Sequence, residues 1–262
     1  MSVPSSAGGG GYPGGGGGDF RIGDVLSRAW TILTNNLLFF IGTTLLVWIA
    51  IIVIIVIAVG GSLASGQIAQ GNPGPLFFVL LAIAVIAAVI INMLGQATLL
   101  FGAFQYLRGL PVRLGESLSR AMARLGPLIG LTVLMTIALF FAALLLVIPA
   151  IILGVMWAVA VPVCVVEGSG VTDSMSRSAA LTKGHRWQIF GIGVLLLIVN
   201  LVVSEGLSFA LTPISSILAS LISLAWTVVF SSYGHCVAIM IYHDLRVAKE
   251  GVDTTQIASV FD

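Results

Sequence analysis

Four polar side chains interrupt long apolar runs and are best placed for chemistry inside a membrane. Asn92 and Gln96 are four positions apart, which places them on one face of a helix. Asn200 and Glu205 fall together in a later run, and Glu205 is its only acid. Amide and carboxyl groups around one polar cavity could bind an ion or pass a proton, as intramembrane acids often do.

A structural interpretation of the same residues stays open. Amides within spans often hydrogen-bond a neighbouring helix, which contributes roughly 1 kcal/mol. Glu205 is followed by Gly206 and lies ~24 Å along its predicted helix, so it could reach water at the helix end. Convergence of Asn92, Gln96, Asn200 and Glu205 on one cavity would favour a transporter or channel.

The remaining reactive residue types form no catalytic or metal-binding pattern. His185, His235 and His243 are dispersed and lack ligand spacing with Cys, Asp or Glu. Cys164 and Cys236 lie in apolar runs, which favours small buried side chains over a disulfide. We therefore expect no enzyme activity, no metal and no cofactor.

A second group of candidates is cationic and lies between the apolar runs. Arginine and lysine at the level of lipid headgroups bind anionic lipids. The alternative is that these charges only determine orientation, and they are too few and dispersed for nucleic-acid binding. The candidate lipid contacts are Arg28, Arg113, Arg120, Arg124, Arg177, Lys183 and Arg186.

The composition defines the solvent in which these residues must be positioned. The 262 residues are 58% hydrophobic and 8% charged, whereas soluble domains carry about 25% charged residues. A helix needs about 20 apolar residues to cross the hydrocarbon layer. The sequence predicts an all-α, polytopic protein with six spans, at 37–60, 76–107, 127–147, 150–166, 189–211 and 214–242.

The distribution of positive charge predicts the orientation. Six spans in hairpin order put all 11 Lys and Arg residues on one side and none on the other. The positive-inside rule makes that side cytoplasmic. Both termini are therefore expected in the cytoplasm.

A short pattern occurs three times, at 22–29, 114–121 and 171–178. Each copy reads apolar, small, acidic, variable, Leu or Met, Ser, Arg, small, and each precedes a predicted hairpin. Apolar residues at helical spacing predict a short amphipathic interfacial helix in each copy. Three such units would create a pseudo-threefold repeat about the membrane normal, with chance resemblance as the alternative.

The third copy continues into a stretch that resembles the glycerophosphoryl diester phosphodiesterase membrane-domain family. Arg177-Ser178, Leu181, Lys183-Gly184 and Trp187 match, together with an Ile148-Pro149 turn, Trp157, Pro162 and Glu167-Gly168. The resemblance covers roughly residues 19 to 245 and implies an uncharacterised six-helix protein of the bacterial inner membrane. No soluble segment of these 262 residues could hold the catalytic barrel that some members carry.

Three regions are expected: a disordered Gly-rich tail at 1–18, a six-helix membrane domain at 19–245 and a cytoplasmic tail at 246–262. The leading functional hypothesis is a non-enzymatic module that binds lipid or scaffolds partners in envelope or phospholipid homeostasis. Its expected partners are membrane lipids, with another protein or a second copy of the chain as further possibilities. A transporter or channel is the alternative.

Overall fold

A computed structural model describes residues 20–64 and 74–251. All regular structure in these two ranges is helical, and six segments are long and apolar enough to cross a membrane. This confirms the predicted all-α, six-span class. The predicted tail at 1–18 and most of the one at 246–262 lie outside the described residues.

The helices are joined by short connections. Three short helices, the first, fourth and eighth in chain order, each precede a pair of spans. The described helices are α1 (Ile22–Asn35), α2 (Leu37–Ala64), α3 (Pro75–Leu107), α4 (Leu114–Ala123), α5 (Leu125–Leu145), α6 (Val147–Met156), α7 (Ala160–Val166), α8 (Val171–Thr182), α9 (Arg186–Leu211) and α10 (Ser216–Glu250).

The helices α1, α4 and α8 occupy the three copies of the sequence pattern. All three bury the fourth and eighth positions of the pattern, so they present the same face to the protein. The threefold symmetry of the whole fold stays a prediction. These buried residues are Val25 and Ala29, Ser117 and Ala121, and Ser174 and Ser178.

The connection between the third and fourth spans differs from the prediction. We expected a turn at Ile148-Pro149, but Leu146 alone makes the turn, with an extended backbone at φ −164° and ψ 145°. Pro149 lies in the first turn of α6. A proline is tolerated there because the first N–H groups of a helix have no partner within the helix.

The fourth span is divided into α6 and α7 by a break at residues 157–159. Pro162 lacks an N–H for the carbonyl of Ala158, and its ring would clash with that carbonyl in a continuous helix. The break releases the carbonyl of Met156, which accepts hydrogen bonds from Ser178 Oγ (3.0 Å) and Thr182 Oγ1 (3.2 Å). Hydroxyl groups of α8 thus satisfy a backbone group that hydrocarbon could not.

The last helix is longer than a span. Its 35 residues extend about 52 Å at ~1.5 Å per residue, against ~30 Å of hydrocarbon. It begins at Ser216, after a Ser215 cap whose hydroxyl accepts from the Leu218 N–H at 3.3 Å, and not directly at Pro213 as predicted. The helix also continues past the expected domain limit at residue 245.

Buried apolar residues concentrate at the end of the molecule that carries the Lys and Arg residues, which we call the basic end. On α3 all of them except Ala84 lie from Met93 onward, and on α10 all except Ala219 and Val228 lie between Ser232 and Leu245. The other halves of the spans present large apolar side chains outward, as expected where lipid is the solvent.

Glycines set the close approach of α2 to α3. A Cβ atom at Gly102 would lie 2.2 Å from the Phe39 ring, and one at Gly95 would lie 2.4 Å from Val47. The Phe39 ring packs edge-on against Phe40, with 5.2 Å between ring centroids. These small residues therefore allow two helices to pack where no hydrophobic effect drives them together.

We predict that Gly102→Ala destabilises the protein by about 1–3 kcal/mol, because the added methyl displaces the Phe39 ring. The thermal unfolding midpoint in detergent should fall. Gly42→Ala on α2 is the matched control, since no heavy atom lies within 4 Å of its added Cβ. Equal midpoints for the two variants would contradict the predicted role of Gly102.

Candidate functional site at the basic end

An ionic network joins the end of α10 to α7 and α8. Arg177 binds Glu167 through Nε (3.2 Å to Oε2) and also pairs with Glu250. Arg246 Nε donates to Glu250 at 3.0 Å, and the Tyr242 hydroxyl donates to Glu167 at 2.9 Å. We call these five residues the α10 network. Its side chains are at most about one-third exposed.

The charge state of this network is held by its geometry. The hydrogen bond to Glu250 raises the pKa of the Arg177 guanidinium, and the charge of Glu167 adds to this rise while burial opposes it. Arg177 therefore remains a cation at every accessible pH. It is a bridging residue between two carboxylates that are 83 positions apart in the chain.

A second ion pair ties α1 to α10. Arg28 pairs with Asp244, and the Arg28 Nε also donates to the Asp24 carbonyl at 3.3 Å. The Tyr233 hydroxyl donates to the Leu26 carbonyl at 3.0 Å. The first and third amphipathic helices are thus both held by carboxylates near the end of one helix.

Arg124 is held by a backbone carbonyl, and no acid within 20–64 and 74–251 pairs with it. Its Nη1 donates to the Gly168 carbonyl at 2.8 Å. Gly168 has φ +71°, and a Cβ there would lie 2.3 Å from the Arg124 Nη2. Both the left-handed backbone and the close contact require glycine at this position.

Arg120 has a weaker partner than Arg28 or Arg177. Its Nη2 lies 3.1 Å from Glu116 Oε1 on the same helix, and the two side chains are 58% and 45% exposed. Exposed pairs of this kind contribute little to stability because water screens them. Helix α4 buries Ala121 but exposes Leu118 and Met122, so part of its apolar face is turned away from the protein.

Besides Arg124, three of the seven predicted lipid contacts pair with no carboxylate in residues 20–64 and 74–251, namely Arg113, Lys183 and Arg186. Arg113 is exposed at the N-cap of α4. Lys183 and Arg186 flank the turn between α8 and α9, where Lys183 is exposed and the Arg186 Nε is buried without a partner.

That turn gathers further cations that the candidate list did not include. Lys249 Nζ comes within 4.0 Å of the Cβ position of Gly184, and the Phe20 ring lies 5.6 Å from the His185 ring. Phe20 directly precedes Arg21, so the chain start of α1 and the end of α10 meet here. We define the cationic corner as Arg21, Lys183, Arg186 and Lys249.

An exposed tryptophan lies beside this corner. Trp187 is 83% exposed and its ring packs edge-on against Phe190, with 6.0 Å between ring centroids. Tryptophan concentrates at membrane–water interfaces because its ring is apolar and its N–H is polar. The corner therefore combines cations that have no carboxylate partner in the described part of the chain with a side chain suited to the headgroup layer.

The four intramembrane candidates are divided among different places. Gln96 Nε2 donates to Asn92 Oδ1 at 2.6 Å, and both residues line a small cavity with His235. Asn200 accepts from the Trp226 indole at 3.2 Å, and Glu205 is exposed on α9. The cavity lined by Asn92 and Gln96 includes neither Asn200 nor Glu205.

Comparison with protein families matches residues 96–245 to the Domain of unknown function (DUF7847). The chain belongs to this family. The match begins within α3 and contains Glu167, Arg177 and Tyr242 of the α10 network, but not α1 or α2. No curated protein and no solved structure matches the chain. The family description names no activity, so the resemblance to the phosphodiesterase membrane domains stays a prediction.

Sequence reasoning missed the roles of Glu167, Asp244 and Glu250, which determine which cations stay free. It set Arg246 and Glu250 in a tail and considered His235 only as a metal ligand or a catalytic residue. One signal was present in the sequence: Asp244 and Glu250 follow the last apolar run, which is already long enough to cross the bilayer.

We predict that Arg177→Met lowers the free energy of unfolding by about 1–3 kcal/mol, because two partly buried carboxylates lose their partner. Arg120→Met should change it by about 0.5 kcal/mol or less. Denaturation of the purified protein in mixed detergent measures both. If the two variants lose equal stability, the α10 network does not hold the helices together.

Proposed function

We propose that this chain is a non-enzymatic membrane module that binds anionic lipid headgroups at its basic end. The observation that carries the proposal is the division of its cations. Arg28, Arg124 and Arg177 are occupied by groups of the protein, whereas the cationic corner has no carboxylate partner among the described residues.

The cationic corner should bind an anionic headgroup more strongly than the other cations of the basic end. A cation already paired with a carboxylate has a reduced charge to offer, while an unpaired Lys or Arg near an anionic surface contributes about 1 kcal/mol. The corner concentrates such residues beside Trp187. Arg113, with exposed Leu114 and Leu118 on α4, provides a second and smaller contact of the same kind.

A scaffolding role is compatible with the same surface, and a lipid-bound module in envelope or phospholipid homeostasis remains our functional hypothesis. Transport is the weaker hypothesis. It requires Glu205 and Asn200 to join Asn92 and Gln96, and Asn200 is instead bonded to Trp226.

We expect the variant Lys183→Gln with Lys249→Gln to retain roughly tenfold less phosphatidylglycerol after detergent purification. Two lost contributions of about 1 kcal/mol correspond to at least that factor. Both side chains are exposed, so the fold should be preserved. Native mass spectrometry of the protein after washing measures the bound lipid.

Arg120→Gln is the matched control for this experiment, since it removes an exposed cation that already has Glu116 as a partner. It should retain nearly normal amounts of phosphatidylglycerol. The proposal is wrong if the corner variant keeps its lipid, or if the control loses as much. Higher salt during washing should reduce the difference, because screening weakens contacts at a charged surface.

We also propose that the basic end faces the cytoplasm of a bacterial inner membrane, with both termini there. The support is the segregation of all 11 Lys and Arg residues. Cys164 and Cys236 are buried, so a thiol reagent should react with an introduced, exposed cysteine and not with these two.

A membrane-impermeant maleimide should label Thr212→Cys in intact cells, because Thr212 is exposed at the other end of α9. Ser119→Cys on α4 should react only after permeabilisation. Labelling of Ser119→Cys in intact cells would reverse the proposed orientation.

A further inference from the structure

A small polar cavity lies between α2, α3 and α10, away from the cationic corner. Its volume of about 20 Å³ has room for one group the size of a water molecule. Its lining has no charged residue, and apolar contacts from Val47 and Leu99 complete it. The polar or aromatic lining residues are Thr44, Trp48, Asn92, Gln96, Ser231 and His235.

The hydrogen bonds inside the cavity leave both donors and acceptors available. Gln96 Nε2 donates to Asn92 Oδ1 at 2.6 Å, which leaves the Asn92 amide N–H groups and Gln96 Oε1. His235 Nδ1 lies 2.7 Å from the Ser231 carbonyl oxygen. A carbonyl only accepts, so Nδ1 carries the proton and Nε2 of the neutral ring is an acceptor.

The cavity lies at mid-depth and reaches the outside of the helix bundle. Asn92 is ~25 Å along α3 from Pro75 and ~22 Å from Leu107, and its side chain is exposed. Val89 and Val85, three and seven positions earlier on the same face, are 48% and 54% exposed. The mouth beside Asn92 is therefore surrounded by apolar surface that faces hydrocarbon.

Unpaired polar atoms are costly in hydrocarbon, so this arrangement favours a ligand that can satisfy them. We propose that the cavity binds the hydroxyl group of a neutral, lipid-soluble alcohol, which enters sideways from the bilayer. A hydroxyl donates to Gln96 Oε1 or His235 Nε2 and accepts from the Asn92 amide. A carboxylate or phosphate would find no cation there.

The chain of the alcohol stays in the lipid against the apolar face of α3, since the cavity holds only the head. Gly95 contributes to this shape, because its missing side chain lets Val47 of α2 approach beside the cavity. The site differs from the cationic corner in place and in ligand charge, and it does not rest on the proposed lipid-headgroup function.

Photolabelling of the full chain in phosphatidylcholine vesicles tests the proposal. The probe is hexadecanol with a diazirine near its hydroxyl, and hexadecane with the same diazirine is the comparison. Peptides that contain Asn92 or His235 should be labelled about fivefold more by the alcohol, the factor that one hydrogen bond of ~1 kcal/mol corresponds to. Excess unlabelled hexadecanol should remove this difference.

The variant Gln96→Leu should lower alcohol labelling of these peptides to the level of the alkane. Glu205→Gln is the matched control, because Glu205 is exposed outside the cavity and its replacement should leave labelling unchanged. Equal labelling of the native chain by alcohol and alkane overturns the proposal and leaves water as the group that fits. Unchanged labelling in Gln96→Leu also overturns it.

Discussion

Asp244 and Glu250, near the end of α10, bind the arginines of two short amphipathic helices that lie outside the hydrocarbon layer. Charged groups are costly in hydrocarbon, so every Lys and Arg of this chain must lie beyond the spans. Helix α10 is longer than the bilayer requires, and its last turns bring acids to the same level. Pairing with Arg28 and Arg177 then fixes α1 and α8 against one helix.

The three amphipathic helices are consequently not equivalent. Two of them have an arginine bound to α10, whereas Arg120 of α4 pairs with the exposed Glu116 of its own helix and lies over the Phe101 ring of α3, 6.0 Å from its centroid. The cationic corner has no carboxylate partner among the residues that the structure describes. Because Asp244, Glu167 and Glu250 pair with the arginines that hold the helices together, the cations left over mark the surface where we propose that an anion binds.

A feature could be predicted from the sequence when the residues that determine it lie close together along the chain. Hydropathy and charge segregation are local or nearly additive, so the six spans, the three short helices and the segregated cations were predictable. The pair of Arg28 with Asp244 joins residues 216 positions apart, and no periodicity indicates which acid meets which arginine. The break before Pro162 leaves the Met156 carbonyl to be bonded by Ser178 of another helix, and the turn at Leu146 is likewise set by backbone geometry that hydropathy does not indicate.

The candidate sites show the same limit. Asn92 and Gln96 could be placed on one face from their spacing, but the approach of His235 depends on how α10 packs against α3. The cavity lies where the buried part of α3, beginning at Met93, meets its lipid-exposed part. At such a boundary a polar group is shielded from water yet open to the bilayer, so it selects by hydrogen bonding and not by charge. The headgroup binding that we propose at the cationic corner depends on charge instead, and salt should weaken it. The two proposed recognition surfaces therefore differ in their physics, so that a substitution should remove either one without the other.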